Sequence, residues 1–424
     1  MCGIAGCIGR KDFKTVNLML DALGHRGPDD RGIYISGESV FGHTRLSIVD
    51  VAGGHQPILS NGGRDGIICN GEIYNFRKLK KNLSNRYSFR TDSDSEVILH
   101  LYKEKGPDCV KELDGMFAFA IFDDDNFMMA RDPIGIKPLY YGYKEDNLYF
   151  ASELGAMSLA GLDEVHEFPA GHYYTPKEGF IEFYRTPEIE DQMLTDIEEA
   201  SSLIRDTFIR AVKKRLLSDP DIHVGAFCSG GLDSSLIAAI AANEIHHLHT
   251  FVVGMEYDNG EFSDDIKASR IAADYIGSNH HELLFTKNDY YNALPKVIEK
   301  LETYDPSLVR CAVPCYFTCK LAADYVTVVL TGEGADELFT GYHYMKHFPV
   351  NKLNMEARRC INNLHNINLQ RTDRMGMLFS LELRVPFLDK EMIALSMKIP
   401  PELKIRVHNN DKIEKWILRK AFEG

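Results

Sequence analysis

The hydrophobic period of this chain changes once, near residues 186–199, and that change restricts it to two unlike halves. From residue 1 to about 185, short apolar runs alternate with turn residues: VFGHTRLSIVD, DGIICNGEIYN, MFAFAIFDDDNFMMARD and PLYYGYKEDNLYFAS. A period of two predicts β-strands with one face buried. FDDDNF, flanked by two such runs, predicts a hairpin turn. Asp123 to Asp125 read as a solvated turn, because the alternating oxygen ligands and central glycine of a calcium loop are missing. Two helices interrupt the strands, one after Asp12 with Val16, Leu20 and Leu23 on a face, the other across Asp94 to Lys105 with Val97, Ile98 and Leu101. The chain then turns polar and acidic from Pro176 to Glu199, and we place a linker at 186–199. Beyond it, Ile204, Phe208, Ala211, Val212 and Leu216 share a helical face ending near Asp219-Pro220. HVGAFC, HTFVVGM, NHHELLF and VTVVLTG then alternate as strands with the helices SLIAAIAAN and DDIKASRIAADYIG, which predicts a parallel sheet covered by helices. The fold class is α+β followed by α/β.

At 424 residues the chain is long enough for two or three domains. Its 48 basic and 62 acidic residues leave a net charge of −14, which disfavours nucleic acid as the main partner. No run approaches the roughly 20 apolar residues of a membrane helix, so a soluble protein is expected. MCGIAGCIG lacks a basic segment ahead of an apolar one, and nine scattered cysteines suit a reducing compartment; the cytoplasm is the expected location.

Cys2 is the first candidate for chemistry. Removal of Met1 leaves a thiol and a free α-amine on one residue, and an amine of pKa about 7.7 to 8.0 is partly neutral and able to take the thiol proton. Attack on an amide also needs donors for the developing oxyanion, which the Asn70 amide and Gly71 N–H offer. Arg45 can fork onto a carboxylate, and Glu72 with Asp94 can hold an ammonium. The motifs MCGIAG, GHRGPDD, RLSIVD, NGEIYN and TDSDSEVI, in that order, resemble the class II glutamine amidotransferase domain with its N-terminal cysteine. The resemblance implies a four-layer αββα glutaminase domain of the Ntn type over residues 1–185. It further implies that Cys2 attacks the side-chain amide of glutamine, Asn70 and Gly71 form the oxyanion hole, Arg45 binds the α-carboxylate, and Glu72 and Asp94 bind the α-amine. His25 to Asp29 fall to a structural or domain-facing loop.

The second candidate is SGGLDSS, Ser229 to Ser235, between a predicted strand and helix. Glycines permit close backbone approach, hydroxyls donate, and the helix N-terminus adds positive potential, so the loop is an anion cradle. It is no Walker loop, since the chain contains no Gly-Lys pair. The third candidate, TGEGADELFTGY, follows another strand, at the end where open α/β sheets place ligands. Glu333, Asp336 and Glu337 crowd negative charge there, which reads equally as a metal site or as an acidic helix start.

SGGLDSS, FVVGM, ETYD, TGEGADELFTGY, LELRVPFLD and IEKWILRKAFE together resemble the synthetase domain of the glutamine-hydrolysing asparagine synthetases, a parallel-sheet fold like the adenine-nucleotide α-hydrolases, over residues 200–424. The resemblance implies that ATP activates the aspartate side chain as an acyl-AMP, which ammonia from the first half attacks within a sheltered passage. The implied ATP site is Phe227, Ser229, Gly230, Gly231, Asp233, Ser234, Val253, Thr331 and Gly332, with Mg²⁺ on Asp233 and Asp336. Glu333 assists ammonia addition, Lys415 stabilises phosphate charge, and Arg310 grips the acceptor. Glutamine, ATP and aspartate are the expected small-molecule partners, with no membrane or nucleic acid; a homodimer is left open. Pro306-Ser307-Leu308 stands where the family commonly has a hydroxyl pair, and the chain stops nine residues after Lys415. These departures keep two alternatives: another carboxylate acceptor, or a shortened non-catalytic relative. From spacing alone, Lys415 could pair with Asp411 across a helical turn. Cys311, Cys315 and Cys319 read as small buried residues of a helical face, and His280-His281 as structural or surface.

Overall fold

A computed structural model describes residues 2–123, 126–189, 193–257, 261–408 and 411–423. Met1, Asp124 and Asp125 of the predicted turn, and residues 190–192 of the predicted linker lie outside the described residues. Two six-stranded sheets are built from residues between Gly3 and Glu182. The first runs His166–Glu167, Tyr140–Lys144, Asn147–Ala151, Gly3–Ile8, Ser39–Arg45, Asp30–Ser36; the second runs Gly179–Glu182, His172–Thr175, Asn126–Arg131, Gly115–Asp123, Asp65–Ile73, Ile58–Leu59. All described pairings in both are antiparallel. The predicted hairpin closes with Asp123 opposite Asn126.

Side-chain alternation turns these sheets into layers. Ile68 points between the sheets, where it meets Ile4, Phe41, Ala118 and Phe150. Its neighbours Ile67 and Cys69 point the other way, toward Leu79, Val97 and Leu101 of the helices Phe76–Leu83 and Glu96–Lys105. On the far side, Ala5, Cys7 and Val40 pack on Val16, Met19 and Leu20 of the helix Phe13–Ala22, whose start is capped by Asp12 accepting from the Thr15 N–H at 3.2 Å. The result is the four-layer αββα sandwich.

The second half contains a five-stranded sheet in the order Asn279–Phe285, His249–Met255, Val224–Phe227, Val328–Leu330, Glu382–Arg384, parallel throughout. Val224, Ala226, Val328 and Leu330 face one apolar cluster, and Phe251, Val329 and Leu383 face another. Burial on both faces explains why these strands read as continuous apolar runs. The edge strand Glu382–Arg384 was missing from the sequence reading. The helix predicted to end near Asp219 spans Ile197–Lys214. One apolar cluster continues from Cys69 and Phe117 of the sandwich to Ile237 and Leu330 of the parallel half. Among the described residues no helix is long and apolar enough to cross a membrane.

Candidate active sites

Cys2 precedes the strand Gly3–Ile8 and is buried. Its main-chain N–H donates to Asn70 Oδ1 at 3.0 Å, and its Sγ lies 3.9 Å from the Leu46 carbonyl. Asn70 is fully buried, and its Nδ2 has no partner. A buried amide donor left unpaired beside a thiol is costly for folding and suited to an oxyanion that arrives with the reaction. At Gly71 an added Cβ would stand 2.2 Å from the Met116 carbonyl, so the strand tolerates no side chain there. Asp94 Oδ2 accepts from the Ile73 N–H at 2.6 Å, and Glu72 Oε2 is buried without a partner. Burial pushes the Asp94 carboxyl up to about 6; burial and then the neighbouring Asp94 push Glu72 well above the usual carboxylate range. Burial also pushes the Cys2 thiol up. The two terminal nitrogens of Arg45 donate to the carbonyls of Val49, Asp50 and Val51, so a ligand carboxylate would share them with this loop.

GHRGPDD contributes more than a turn. Arg26 is fully buried; its Nε donates to the Cys2 carbonyl at 3.0 Å, and its terminal nitrogens fork onto Asp373 at 2.8 and 3.0 Å and reach Glu153 at 2.6 Å. Ser380 Oγ donates to the His25 carbonyl at 2.8 Å. Arg384 donates to Glu382 at 2.6 Å and sits 3.6 Å from Glu72. The buried cluster around Cys2 therefore faces the parallel half. Sequence reasoning missed Arg26, Asp373, Glu382 and Arg384 as site residues. For the last two a signal existed: charges at alternate positions inside the apolar run LELRVP mark a buried ion pair.

At the carboxyl ends of the parallel strands lies a cavity of about 490 Å³. Phe227, Ser229, Gly231, Asp233, Ser234, Val253, Thr331 and Gly332 line it, together with Glu333, Asp336 and Arg371. Of the predicted nucleotide residues only Gly230 is outside the lining. Its φ of 79° and the 2.3 Å approach of a would-be Cβ to the Ala268 carbonyl carbon show why it is glycine. Ser229 Oγ and Ser234 Oγ are 3.2 Å apart, and the helix Leu232–Ala242 starts at this loop.

Lys415 does not make the local pair with Asp411 that its spacing allows. It precedes the helix Trp416–Ala421 with φ 54°, and Asp411 lies on the strand Asp411–Ile413, so no helical-turn pair exists. Its Nζ instead donates to Asp233 and lies 2.7 Å from Asp336. Although burial opposes it, the two carboxylates hold the Lys415 ammonium above the usual lysine range; burial pushes Asp233 upward. Asp233 Oδ1 is buried without a partner. Among the described residues no group of three or more His, Cys, Asp or Glu is placed to hold a metal. Two carboxylates with a spare oxygen nevertheless fit Mg²⁺, which is commonly held by one or two carboxylates plus substrate phosphates.

A second cavity of about 570 Å³ contains Arg310 and shares Cys311, Tyr342 and Asn368 with the first. Glu337, on its wall, accepts from Tyr342 at 2.5 Å and Asn368 at 3.1 Å. Of the three cysteines on the helix Pro306–Ala322, Cys319 is buried and Cys315 half-buried, 3.9 Å apart at sulfur. Cys311 is exposed, against the expectation of burial, because the start of this helix borders both cavities. His281 pairs with His249 at 2.8 Å, and His280 with Thr250 at 3.0 Å, as structural contacts of adjacent strands.

A cysteine-headed αββα sandwich and a parallel sheet carrying a phosphate-type loop define a glutamine amidotransferase joined to a synthetase unit. The glutamine amidotransferase domain family matches residues 1–173, and the asparagine synthase family matches 203–360 and 350–424. The asparagine synthetase [glutamine-hydrolyzing] 3 of Arabidopsis thaliana is 40% identical, covering 100% of this chain and 75% of that protein. The probable asparagine synthetase [glutamine-hydrolyzing] of Schizosaccharomyces pombe is also 40% identical, over 97% of this chain and 77% of its own length. Among solved structures, the glutamine phosphoribosylpyrophosphate amidotransferase of B. subtilis aligns with a TM-score of 0.39 at 23% identity, over 61% of this chain and 67% of that one. The chain belongs to the glutamine-hydrolysing asparagine synthetase family.

Proposed function

We propose that this protein makes asparagine from aspartate, ATP and glutamine, releasing glutamate, AMP and pyrophosphate. The observation that carries this reading is spatial: all but Gly230 of the nucleotide residues expected from sequence line one cavity, while Cys2, Asn70 and Glu72 form a buried cluster that faces the same half.

With Met1 removed, the α-amine of Cys2 accepts the thiol proton and the sulfur attacks the glutamine side-chain amide. Asn70 Nδ2 and the Gly71 N–H receive the oxyanion, Glu72 and Asp94 the ammonium, and Arg45 the α-carboxylate. Ammonia leaves, and water cleaves the resulting thioester to glutamate. In the other site Arg310 holds the α-carboxylate of aspartate, whose β-carboxylate attacks the α-phosphorus of ATP and displaces pyrophosphate over the Ser229 to Ser235 loop. Lys415 balances the charge that develops on phosphate. Ammonia then attacks the acyl carbon, Glu333 taking a proton, and AMP departs. Asp233 and Asp336 would hold Mg²⁺, which when bound supplies charge neutralisation to the triphosphate. Sheltered transfer between the sites follows from chemistry: ammonium cannot attack, and acyl-adenylates hydrolyse in water. Nine free cysteines support a reducing compartment, and we place the enzyme in the cytoplasm.

The test is an assay of the full chain with ATP, Mg²⁺, glutamine and aspartate, read by phosphorus NMR and amino-acid analysis. Equimolar AMP, pyrophosphate and asparagine are expected. ADP in place of AMP removes the adenylate, and pyrophosphate only with another acid assigns a different acceptor.

Asp94 adds a pH signature. A carboxyl raised to about 6 is protonated at lower pH and cannot hold the glutamine ammonium. Protonation of Asp94 should therefore raise the KM for glutamine as pH falls through about 6. Asp94→Asn should raise KM and flatten the profile; a wild-type KM unchanged between pH 5 and 7 would remove Asp94 from ammonium binding.

A further inference from the structure

Three cysteines that the mechanism does not use, Cys311, Cys315 and Cys319, stand one turn apart on the helix Pro306–Ala322. A spacing of four residues puts them on one helical face. Cys315 Sγ and Cys319 Sγ are 3.9 Å apart, within hydrogen-bond contact. Cys311 is exposed and lines both cavities, so the row of sulfurs runs from an open wall into the interior. Although burial opposes it, Glu333, Cys315 and Cys311 in turn hold the Arg371 guanidinium above the usual arginine range, which puts both outer thiols beside one charge. Hydrogen bonding from Cys319 holds the Cys315 thiol below the usual thiol range against its burial, and Arg371 adds to the effect.

The separation of the sulfurs decides what can join them. A disulfide needs Cβ atoms about 3.5 to 4.5 Å apart, whereas residues four apart on a helix hold theirs about 5 to 6 Å apart, so an S–S bond would distort this helix. Two thiolates on one tetrahedral soft cation, with bonds of about 2.3 Å, place their sulfurs about 3.8 Å apart. The observed gap fits the second case without backbone movement. Thiolates prefer soft cations to Mg²⁺, which keeps such a site distinct from the nucleotide carboxylates. Among the described residues no set of three ligating groups is preassembled, so a third sulfur has to rotate in.

We propose that Cys315 and Cys319 form a binding site for a soft divalent cation of the zinc and cadmium class, with Cys311 turning in as the third ligand, and that filling this site stops the synthetase reaction. Each sulfur–metal bond forms as one thiol proton leaves to solvent, and nothing is oxidised. The block follows from place: Arg371 pairs with Glu333 in the nucleotide cavity, and a dication held by the thiols beside Arg371 repels it from that position. The inhibitory part rests on the function proposed above; the binding part does not.

Both parts are tested on the full chain, reduced and freed of metal. Cd²⁺ alone is titrated and followed by the ultraviolet charge-transfer absorption of thiolate–cadmium bonds. One bound ion per chain should depend on the pair: Cys315→Ala and Cys319→Ala should each weaken it about a hundredfold or more, and Cys311→Ala about tenfold. Cys315→Ser keeps the volume and should show the same loss even if the alanine variants fold poorly, because a hydroxyl is a hard ligand. Zn²⁺ is then added to asparagine formation from ammonia under excess Mg²⁺. The wild-type rate should fall at least about tenfold and return when zinc is chelated, while Cys315→Ser should stay within about twofold of its own zinc-free rate. A cadmium band unchanged in the variants, a disulfide formed in place of ion binding, or zinc inhibition equal in wild type and Cys315→Ser overturns the proposal. Cadmium bound at the pair with zinc-treated synthesis undiminished overturns the block. If the metal-free wild type makes no asparagine from ammonia, the functional reading falls, and the cadmium titration still decides the site.

Discussion

Cys2→Ala should abolish glutamine-dependent asparagine formation, by about 10⁴-fold or more, while ammonia-dependent formation stays within about twofold of the wild type. The size follows from removing the only atom that bonds to substrate carbon in the first site. The selectivity follows from place: Cys2 touches Asn70, Leu46 and Arg26, and none of these lines the nucleotide cavity. Alanine fills nearly the same volume in a buried position, so the variant should fold and retain its parallel half. Retention of Met1 should mimic the substitution, because an amide nitrogen at Cys2 cannot accept the thiol proton; intact mass and glutaminase rate measured on the same preparation check this. Loss of ammonia-dependent synthesis in Cys2→Ala would contradict two separate sites.

Local features were legible in the sequence because they rest on neighbours a few residues away. The hairpin at Asp123 and Asn126, the cap at Asp12 and the strand-loop-helix unit at Ser229 to Ser235 each follow from period, cap chemistry or turn composition. The glutamine and nucleotide residues were placed through ordered motifs, and the fold brings Cys2 against Asn70 and Asp233 against Lys415. What escaped was whatever depends on partners far along the chain. Arg26 and Asp373 are each unremarkable in their own segment, and their ion pair exists only once the halves dock. Glu382–Arg384 is too short to show a strand period, and its pairing with Val328–Leu330 comes from the sheet's open edge. The partners of Lys415 were hidden for the same reason: local spacing offered Asp411, while tertiary placement supplied two better acids.

That placement makes Lys415→Met the second large effect. Lys415 passes Gly341, where an added Cβ would meet its Cε at 2.0 Å, and is held by two carboxylates of the nucleotide cavity, Asp233 and Asp336, before any substrate binds. A pre-placed ammonium needs little reorganisation when charge moves onto phosphate, and loss of one such group typically costs about 10² to 10³ in rate. Lys415→Met removes the charge at similar length and also leaves two carboxylates facing each other without their shared cation. Pyrophosphate release should fall about 10³-fold with glutamine or with ammonia as nitrogen source, and glutaminase measured without ATP should stay within about threefold. This is the mirror image of Cys2→Ala: each variant should retain the half-reaction that the other loses. Lys415→Arg keeps the charge but must fit a planar fork past Gly341, so it should recover little. A fall of less than tenfold in Lys415→Met would take Lys415 out of the adenylation step and leave it as a clamp that only organises Asp233 and Asp336.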